Sequence, residues 1–519
     1  HQWCGSRSAD PHFKQLRVLQ GVIRRAAEGN LDLSLDIVSK YMYHQKQGVR
    51  AAELRDILSW TLWYDYFSVP QPDALEAEAV ALGTSTKANL SRDLGLAVAS
   101  LATYVQSCAY FFILAPFVQH EAGHYLDYAA WKSRGWCRLE RLARVMSPGA
   151  TSLLHIGRGD TVFEVGPEQY LFDPVGKGSF TNEEDRGRLG PLVQRLLEVK
   201  LSALLASGRM EEYRNLVSWC PLLLEGLEGV DWREVCPYVG SAKGGDRFWE
   251  LLRLPRGDVR PAAVLLAAAC GEVEVLRAMA AARADLECAE RRSSMTYFRF
   301  PGRQPLHMAA ASGHTSTVAF LLDSGVAVNR TDKLGRRPLH TTAFCGSVEV
   351  ARMLLEHRAD IDARCRSGIA ALQTAAFRGH LDLCRFLLEA RCSAQEPSSP
   401  GTALHSAAFL GSGMDTIHLL VEGGVSPSST WRVGRGAERG AYILVGLPHR
   451  LGSRSLESIL GYHAIGATPL HVAVMMSNWG EVRALLDARA DPEARNCAGA
   501  APRDVARAVG APGRIPFQL

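Results

Sequence analysis

Similar segments spaced about 33 residues apart fill the C-terminal half of the chain. Equivalent positions of this repeat are marked by Leu306, Leu339, Leu372 and Leu404. Successive leucines of this set are 33, 33 and 32 residues apart. A repeat of this length is one supersecondary unit that cannot bury its apolar face alone, so the units must stack on one another. The spacing therefore predicts an elongated array rather than a single globular core.

Short sequence words recur at the same place in several units. Gln304–Ala310 reads QPLHMAA, Thr402–Ala408 reads TALHSAA and Ala467–Ala473 reads ATPLHVA. A threonine or proline at the start of the word favours the first turn of a helix, and a glycine such as Gly313 permits the turn that follows. These words resemble the TPLHxAA turn and first helix of ankyrin repeats. The resemblance implies an all-α ankyrin-repeat solenoid.

The repeats are expected to fill residues 260–510 with about six units. The first unit, Pro261–Glu287, is degenerate, and Gly499–Val509 resembles a C-terminal cap. Residues 430–465 double the distance between two repeat words, carry no such word and are rich in Gly, Arg and Ser. We interpret them as a long inserted loop. Residues 511–519 are then a tail.

Ankyrin arrays bind other proteins through their loop tips and concave helix face, so the resemblance implies a protein partner. The residues expected on this surface are Asp332, Lys333, Arg366 and Asn496. Four histidines occupy equivalent turn positions, namely His307, His340, His405 and His471. A histidine at this turn is expected to hydrogen-bond the backbone of the next unit and not to bind a metal ion.

Charge and cysteine usage narrow the classes of function. The 519-residue chain has 58 Lys and Arg against 54 Asp and Glu, spread along its length, so nucleic acid is not an expected partner. Its 12 cysteines form no CxxC pair, which favours a reducing, cytoplasmic environment. The absence of a Walker loop and of a GxSxG motif argues against the common enzymes that carry them.

One stretch, Gly95–Val118, runs 24 residues without a charge, which is the length of a membrane span. Its first half is rich in Ala, Ser and Thr and contains Gln106. Its second half, Ala109–Val118, is aromatic and β-branched. This division favours a helix followed by a buried strand over a membrane span.

Residues 33–180 are expected to form one domain, in which residues 33–146 alternate strand-like and helix-like runs. The strand-like runs are Leu35–Tyr43, Thr61–Val69 and Ala109–Ala115, and the helix-like runs are Gly48–Trp60, Ser91–Ser107 and Ala130–Met146. This order predicts an α/β domain with a doubly wound, flavodoxin-like parallel sheet. Residues 1–32 are expected to be helical or irregular, and residues 181–259 to form a helical connector.

Two segments of this domain resemble known families. Trp63–Gln71 reads WYDYFSVPQ and Arg134–Glu140 reads RGWCRLE, which is similar to segments of heterokaryon-incompatibility domains and of Toll/interleukin-receptor (TIR) domains. Some TIR domains hydrolyse NAD through a glutamate. The resemblance therefore implies Glu140 as a catalytic carboxylate, Asp65 as a second candidate and Trp136 as a binding residue, and it implies self-association. The alternative is that both acids are surface carboxylates.

A literal HExxH motif lies in the same domain. On a helix, His120 and His124 would share one face and bind zinc, with Glu121 as the general base. Pro116 stands four residues upstream, and the residues that follow fit a loop, which weakens the case for that helix. A third ligand would have to come from Asp127, Glu140, Glu164 or the acidic cluster Glu183–Asp185.

Three functions follow from these patterns. The one we favour is a cytoplasmic interaction protein, a scaffold or signalling adaptor that needs no cofactor. The first alternative is an enzyme that cleaves the nicotinamide glycosidic bond of NAD through Glu140. The second is a zinc metallopeptidase that uses His120, Glu121 and His124.

Overall fold

The chain divides into two compact units in a computed structural model. The N-terminal unit contains His1–Gly208 and Leu223–Cys236, and the C-terminal unit contains Arg209–Leu222 and Pro237–Leu519. The structure describes residues 10, 13–36, 39–40, 48–61, 100, 103–116, 118–120, 125–126, 128–147, 153–157, 161–166, 173–180, 183–235, 248–249, 252–255, 257–258, 260–289, 302–343, 345–393, 401–432 and 456–509.

Short strands and helices alternate in the N-terminal unit. They are α1 (Lys14–Ala27), β1 (Asp32–Leu35), a 3₁₀ helix (Ala51–Ser59), β2 (Phe111–Leu114), β3 (Val118–Gln119), β4 (Tyr125–Leu126), α2 (Tyr128–Ser133), α3 (Gly135–Val145), β5 (Leu153–Ile156), β6 (Thr161–Val165), a second 3₁₀ helix (Val175–Lys177) and α4 (Asp185–Ala206). α3 begins at a glycine because the ring of Phe180 fills the space that a Cβ would need, 1.9 Å from its ideal position.

Four of these strands form one mixed sheet in the order β1-β6-β5-β2. β1 and β6 are parallel, and so are β2 and β5. The central pair, β5 and β6, is antiparallel, with Leu153 opposite Val165. The expected wholly parallel, doubly wound sheet is therefore wrong for the described strands. Only residues 157–160 separate β5 from β6, too few for the crossover that parallel neighbours require.

The sheet packs against α1. Leu19, Val22 and Ala26 lie on one face of this helix, at the spacing that an amphipathic helix requires, and all three are buried. Leu154 and Ile156 alternate along β5 and belong to the same core cluster. The fold of this unit thus depends on apolar spacing that the sequence displays.

The uncharged stretch Gly95–Val118 is divided as expected where it is described. Residues 103–107 are helical, and β2 lies in the second half, where it pairs with β5. Within the described part of the chain, no helix has both the length and the apolar character needed to cross a membrane.

The C-terminal unit is built from helices. After α5 (Met210–Leu223), each repeat contributes a first and a second helix. The first helices are α6 (Pro261–Cys270), α8 (Pro305–Ser312), α10 (Pro338–Thr342), α12 (Ala371–Arg378), α14 (Ala403–Leu410), α17 (Pro469–Met475) and α19 (Pro502–Ala508). The second helices are α7 (Val273–Ala281), α9 (Thr315–Asp323), α11 (Val348–Glu356), α13 (Leu381–Glu389), α15 (Met414–Glu422) and α18 (Trp479–Asp487).

The first helix of each described unit packs on the first helix of the next unit, and the second helices pack in the same way. The array therefore has two layers of helices. The first helices carry buried small residues at the contact, among them Ala310, Ala376 and Ala407. Small side chains let the helix backbones approach closely, which explains the alanine pairs in words such as QPLHMAA and TALHSAA. The stack therefore holds together by nearest-neighbour contacts.

The insertion leaves the stack and returns to it at one place. The N–H of Trp431 donates to the carbonyl of Ala467 at 2.6 Å, and the N–H of Gly466 donates to the carbonyl of Trp431 at 3.0 Å. α14 packs directly on α17 across this junction. The expected long loop contains a further helix, α16 (Leu456–His463), which packs on α17. Ile459 and His463 of this helix are buried.

Candidate partner-binding surface

A histidine of each repeat word reaches the backbone of the following unit. The four Nε2 distances are 3.0 Å from His307 to the carbonyl of Arg336, 3.0 Å from His340 to that of Ile369, 3.1 Å from His405 to that of Ala467 and 3.0 Å from His471 to that of Ala500. The Nδ1 atom of His340 accepts the N–H of Arg337 at 3.2 Å. Nε2 must therefore carry the proton and donate it to the carbonyl.

Burial keeps these rings neutral. It lowers the pKa of His307, His340 and His405 to about 4, because a charged imidazole would lose its hydration. At neutral pH the ring of His340 therefore acts as one acceptor and one donor, both used by backbone. Among the residues that the structure describes, no group of three His, Cys, Asp or Glu side chains is placed to hold a metal ion.

Gln373 holds the histidine position in the fourth unit. Its Oε1 accepts the N–H of Ala370 at 2.8 Å, and its Nε2 donates to the carbonyl of Gly401 at 2.5 Å. The amide thus makes both bonds that an imidazole makes elsewhere. The leucine spacing predicted this unit, but it was not predicted that Gln373 replaces the histidine. The signal was available, because Gln373 directly follows Leu372 as each histidine follows its leucine.

The loops that join successive units have one geometry, and we call residues 332–336, 364–368 and 495–499 the fingertip loops. In each loop the N–H of a glycine donates to a carbonyl three residues back: Gly335 to Asp332 at 2.9 Å, Gly368 to Cys365 at 2.8 Å and Gly499 to Asn496 at 2.9 Å. All three glycines have φ between 74° and 76°, the left-handed region that other residues rarely adopt.

Asp332 organises the first fingertip loop from within. Its Oδ1 accepts the N–H groups of Leu334 and Arg336, both at 2.9 Å. Its Oδ2 accepts the guanidinium of Arg336 at 2.6 and 2.8 Å. Asp332 is only 3% exposed. The expectation that this carboxylate faces a partner is therefore corrected, because its lone pairs hold the loop in shape.

Asn496 has the same role in the last fingertip loop. Its Oδ1 accepts the N–H groups of Ala498 and Ala500 at 3.0 Å each, and its Nδ2 donates to the carbonyl of His463 at 3.1 Å. The side chain is buried. Its predicted place on the partner surface is corrected for the same reason.

Lys333 and Arg366 are exposed at two neighbouring fingertip loops. Leu334 beside them is 43% exposed, which is unusual for a leucine in this chain. The N–H of Arg366 donates to the carbonyl of Leu334 at 2.9 Å, so the two loops are joined by backbone. The loops therefore present these side chains from a scaffold that is held in place by hydrogen bonds.

Family models match this part of the chain. A model described as ankyrin repeats in three copies matches residues 264–365, one described as ankyrin repeats in many copies matches residues 343–388, and one described as an ankyrin repeat matches residues 465–497. Residues 264–497 contain ankyrin repeats. The expected all-α ankyrin solenoid is thereby confirmed for these residues.

Two further comparisons were made, one with solved structures and one with curated proteins. Among solved structures, the ankyrin repeat domain of human ASB11 is 22% identical, and the alignment covers 47% of this chain and 95% of that chain with a TM-score of 0.36. A comparison with curated proteins found no match.

The residues predicted from the TIR-like resemblance lie around α3. Glu140 is half-buried on this helix. The indole N–H of Trp136 donates to Oδ2 of Asp185 at 3.0 Å, so it ties α3 to the start of α4. Arg141 pairs with Asp173 at 3.0 Å. Asp65 lies outside the described residues, and its role stays a prediction, as does that of Glu140 in NAD cleavage.

The described residues beside the HExxH motif belong to two antiparallel strands. His120 directly follows β3 and is not helical, and Gln119 pairs with Tyr125 of β4. Glu121 and His124 lie outside the described residues. Glu164, one of the acids named as a source of a third zinc ligand, is buried, and its Oε2 accepts the N–H groups of Gly48 and Val49 at 2.9 and 3.1 Å. We find that this carboxylate anchors backbone within the N-terminal unit.

Proposed function

We propose that this chain is an interaction protein that holds a protein partner on its ankyrin repeats and acts as a scaffold or signalling adaptor. The proposal is supported by the contrast, within a repeat, between side chains that hold the structure together and side chains that are exposed. The histidines and the buried alanines are used in contacts between units, and Asp332 is used to hold its own loop in shape. Three side chains are exposed at the fingertip loops and are available to a partner, namely Lys333, Leu334 and Arg366.

An exposed leucine between two exposed cations suits protein recognition. Leu334 offers apolar contact area, and Lys333 and Arg366 supply charge that steers a partner and fixes its register. Side chains on loops that a rigid scaffold positions are disproportionately used for binding. The fingertip loops therefore favour recognition of another protein over a structural role alone.

Charge reversal at the fingertip loops is expected to abolish partner capture. The tagged full chain and its Lys333→Glu/Arg366→Glu variant are used as baits in a lysate of the cells that express the chain, and captured proteins are quantified by mass spectrometry. At least one protein is expected to fall tenfold or more with the variant, because its contacts lie at these tips. Arg385→Glu, an exposed arginine on the second helix α13, is the matched control.

Capture that is unchanged by the fingertip variant and by variants of the first helices would contradict the proposal. Circular dichroism of each variant shows whether the array is folded. Since Lys333 and Arg366 are exposed, the reversal is expected to leave the helical signal unchanged.

A further inference from the structure

A row of aromatic residues runs along the first helices in the middle of the array. Phe377 and Phe409 are half-buried, near the ends of α12 and α14. Their ring centroids are 6.2 Å apart and the rings are stacked, with an interplanar angle of 24°. Phe344 holds the same place in the preceding unit of the sequence, but lies outside the described residues. Earlier units have Ala269 or Ala311 there, so the row is confined to three units.

The aromatic rings of the second helices are arranged differently. The ring of Phe320 on α9 is covered by the guanidinium of Arg277 at 5.0 Å, and that of Phe386 on α13 by Arg352, also at 5.0 Å. These rings already have a cation on one face. Phe377 and Phe409 stack on each other, which leaves a partly exposed apolar strip across two units.

The described fingertip loops are positively charged. Together they contain Lys333, Arg336, Arg364, Arg366 and Arg495 against one acid, Asp332. That acid is buried and paired with Arg336 at 2.6 Å, so the exposed charge at these tips is positive. A partner that meets this face needs the opposite sign.

The distance between the two features limits the shape of the partner. Arg366 precedes α12, and Phe377 lies near the end of that eight-residue helix. At a rise of about 1.5 Å per residue, Phe377 lies about 9 Å along the helix from Ala371, and the loop residues between Arg366 and Ala371 add to that separation. An extended peptide covers this length in about three to five residues. A carboxylate and an apolar anchor at that spacing would reach both features at once.

We infer that α12, α14 and the fingertip loops at residues 332–336 and 364–368 bind an acidic protein segment that carries an aromatic anchor. The anchor packs on Phe377 and Phe409, and carboxylates placed three to five residues away pair with Lys333 and Arg366. This inference rests on the proposed function and specifies the chemistry of its partner. The aromatic contact supplies most of the affinity, and the ion pairs supply orientation and a dependence on salt.

Defined peptides test the inference on the full chain. The probes are fluorescein-labelled 12-residue peptides with one tryptophan and three aspartates placed three, four or five residues from it, and binding is measured by fluorescence anisotropy. At least one spacing is expected to bind. Replacing the aspartates by lysine or the tryptophan by serine is expected to weaken binding tenfold or more, and raising NaCl from 50 to 300 mM is expected to weaken it several-fold.

Variants of the chain locate the bound peptide. Lys333→Glu/Arg366→Glu and Phe377→Leu/Phe409→Leu are each expected to reduce affinity at least fivefold, whereas Arg385→Glu is expected to change it less than twofold. Leucine retains most of the ring's volume, so the helices should stay packed. Failure of every acidic peptide to bind, or equal binding by the lysine peptides, would overturn the inference. If protein capture still depends on the fingertip loops in that case, the proposed function stands and only the partner's chemistry is wrong.

Discussion

Lowering the pH from 7.5 to 5.0 is expected to reduce the free energy of unfolding of the repeat array by several kcal/mol. Burial lowers the pKa of His307, His340 and His405 to about 4 in the folded chain, whereas a histidine in an unfolded chain has a pKa of about 6.5. Between these values the unfolded state binds more protons. The stabilisation is therefore complete above pH 6.5 and is lost as the pH falls towards 4, by about 1–2 kcal/mol for each histidine at pH 5.

The hydrogen bonds of His340 also indicate that protonation destabilises the folded array. A second proton must bind at Nδ1 of His340, which accepts the N–H of Arg337 at 3.2 Å, so protonation would set a donor against a donor. Urea unfolding followed by far-ultraviolet circular dichroism at the two pH values measures the effect. His340→Gln is the matched variant, because Gln373 makes the same two bonds in the next unit. This variant should stay folded and lose its share of the pH dependence; an unchanged pH profile would contradict the account.

Truncation of Leu404 to alanine is expected to destabilise the array by about 2–5 kcal/mol, since a buried leucine loses both its apolar contacts and the volume it filled. Leu404 is fully buried on α14, the helix that packs on α17 across the base of the insertion. In a stack held by nearest-neighbour contacts, the loss should appear in both flanking units. Hydrogen exchange of the α14 and α17 amides, together with the urea midpoint, reports it.

Leu334→Ala is the matched control for this change. It removes the same atoms from a side chain that is 43% exposed, so the free energy of unfolding should change by no more than about 0.5 kcal/mol. Equal losses for the two variants would mean that the first helices do not carry the core of the stack.

Much of the repeat array could be predicted from the sequence, because each unit repeats the same local solution. The spacing of Leu306, Leu339 and Leu372 reports a contact between neighbours only about 33 residues apart in the chain. The structural role of the histidines was also expected and is observed. The fingertip roles of Asp332 and Asn496 were misjudged, because a polar residue in a loop is equally suited to facing a partner and to satisfying the loop's own N–H groups.

The aromatic row and the insertion show two other limits. Phe377 and Phe409 recur with the repeat period, but the sequence does not show how exposed their rings are. That exposure depends on which side chain of the neighbouring unit packs on each ring. In the insertion, only the paired ends at Trp431 and Gly466 reveal that the chain re-enters the stack where it left. Neither the exposure of the rings nor the return of the chain to the stack can be predicted from local composition.

The N-terminal unit was less predictable, because its strand order depends on long-range pairing. An apolar run located β2, but the same run fits parallel and antiparallel neighbours equally well. The short connection between Ile156 and Thr161 was the available signal for the antiparallel pair. The roles predicted for Glu140 and Asp65 depended on that fold and stay predictions.

Hydrogen–deuterium exchange of the full chain with and without a captured partner tests the central claim most directly. The account predicts slower exchange on binding at residues 332–336 and 364–368 and in α12 and α14, with little change in the second helices α11 and α13. Protection confined to the N-terminal unit, residues 14–206, would contradict it and would place the partner away from the ankyrin repeats.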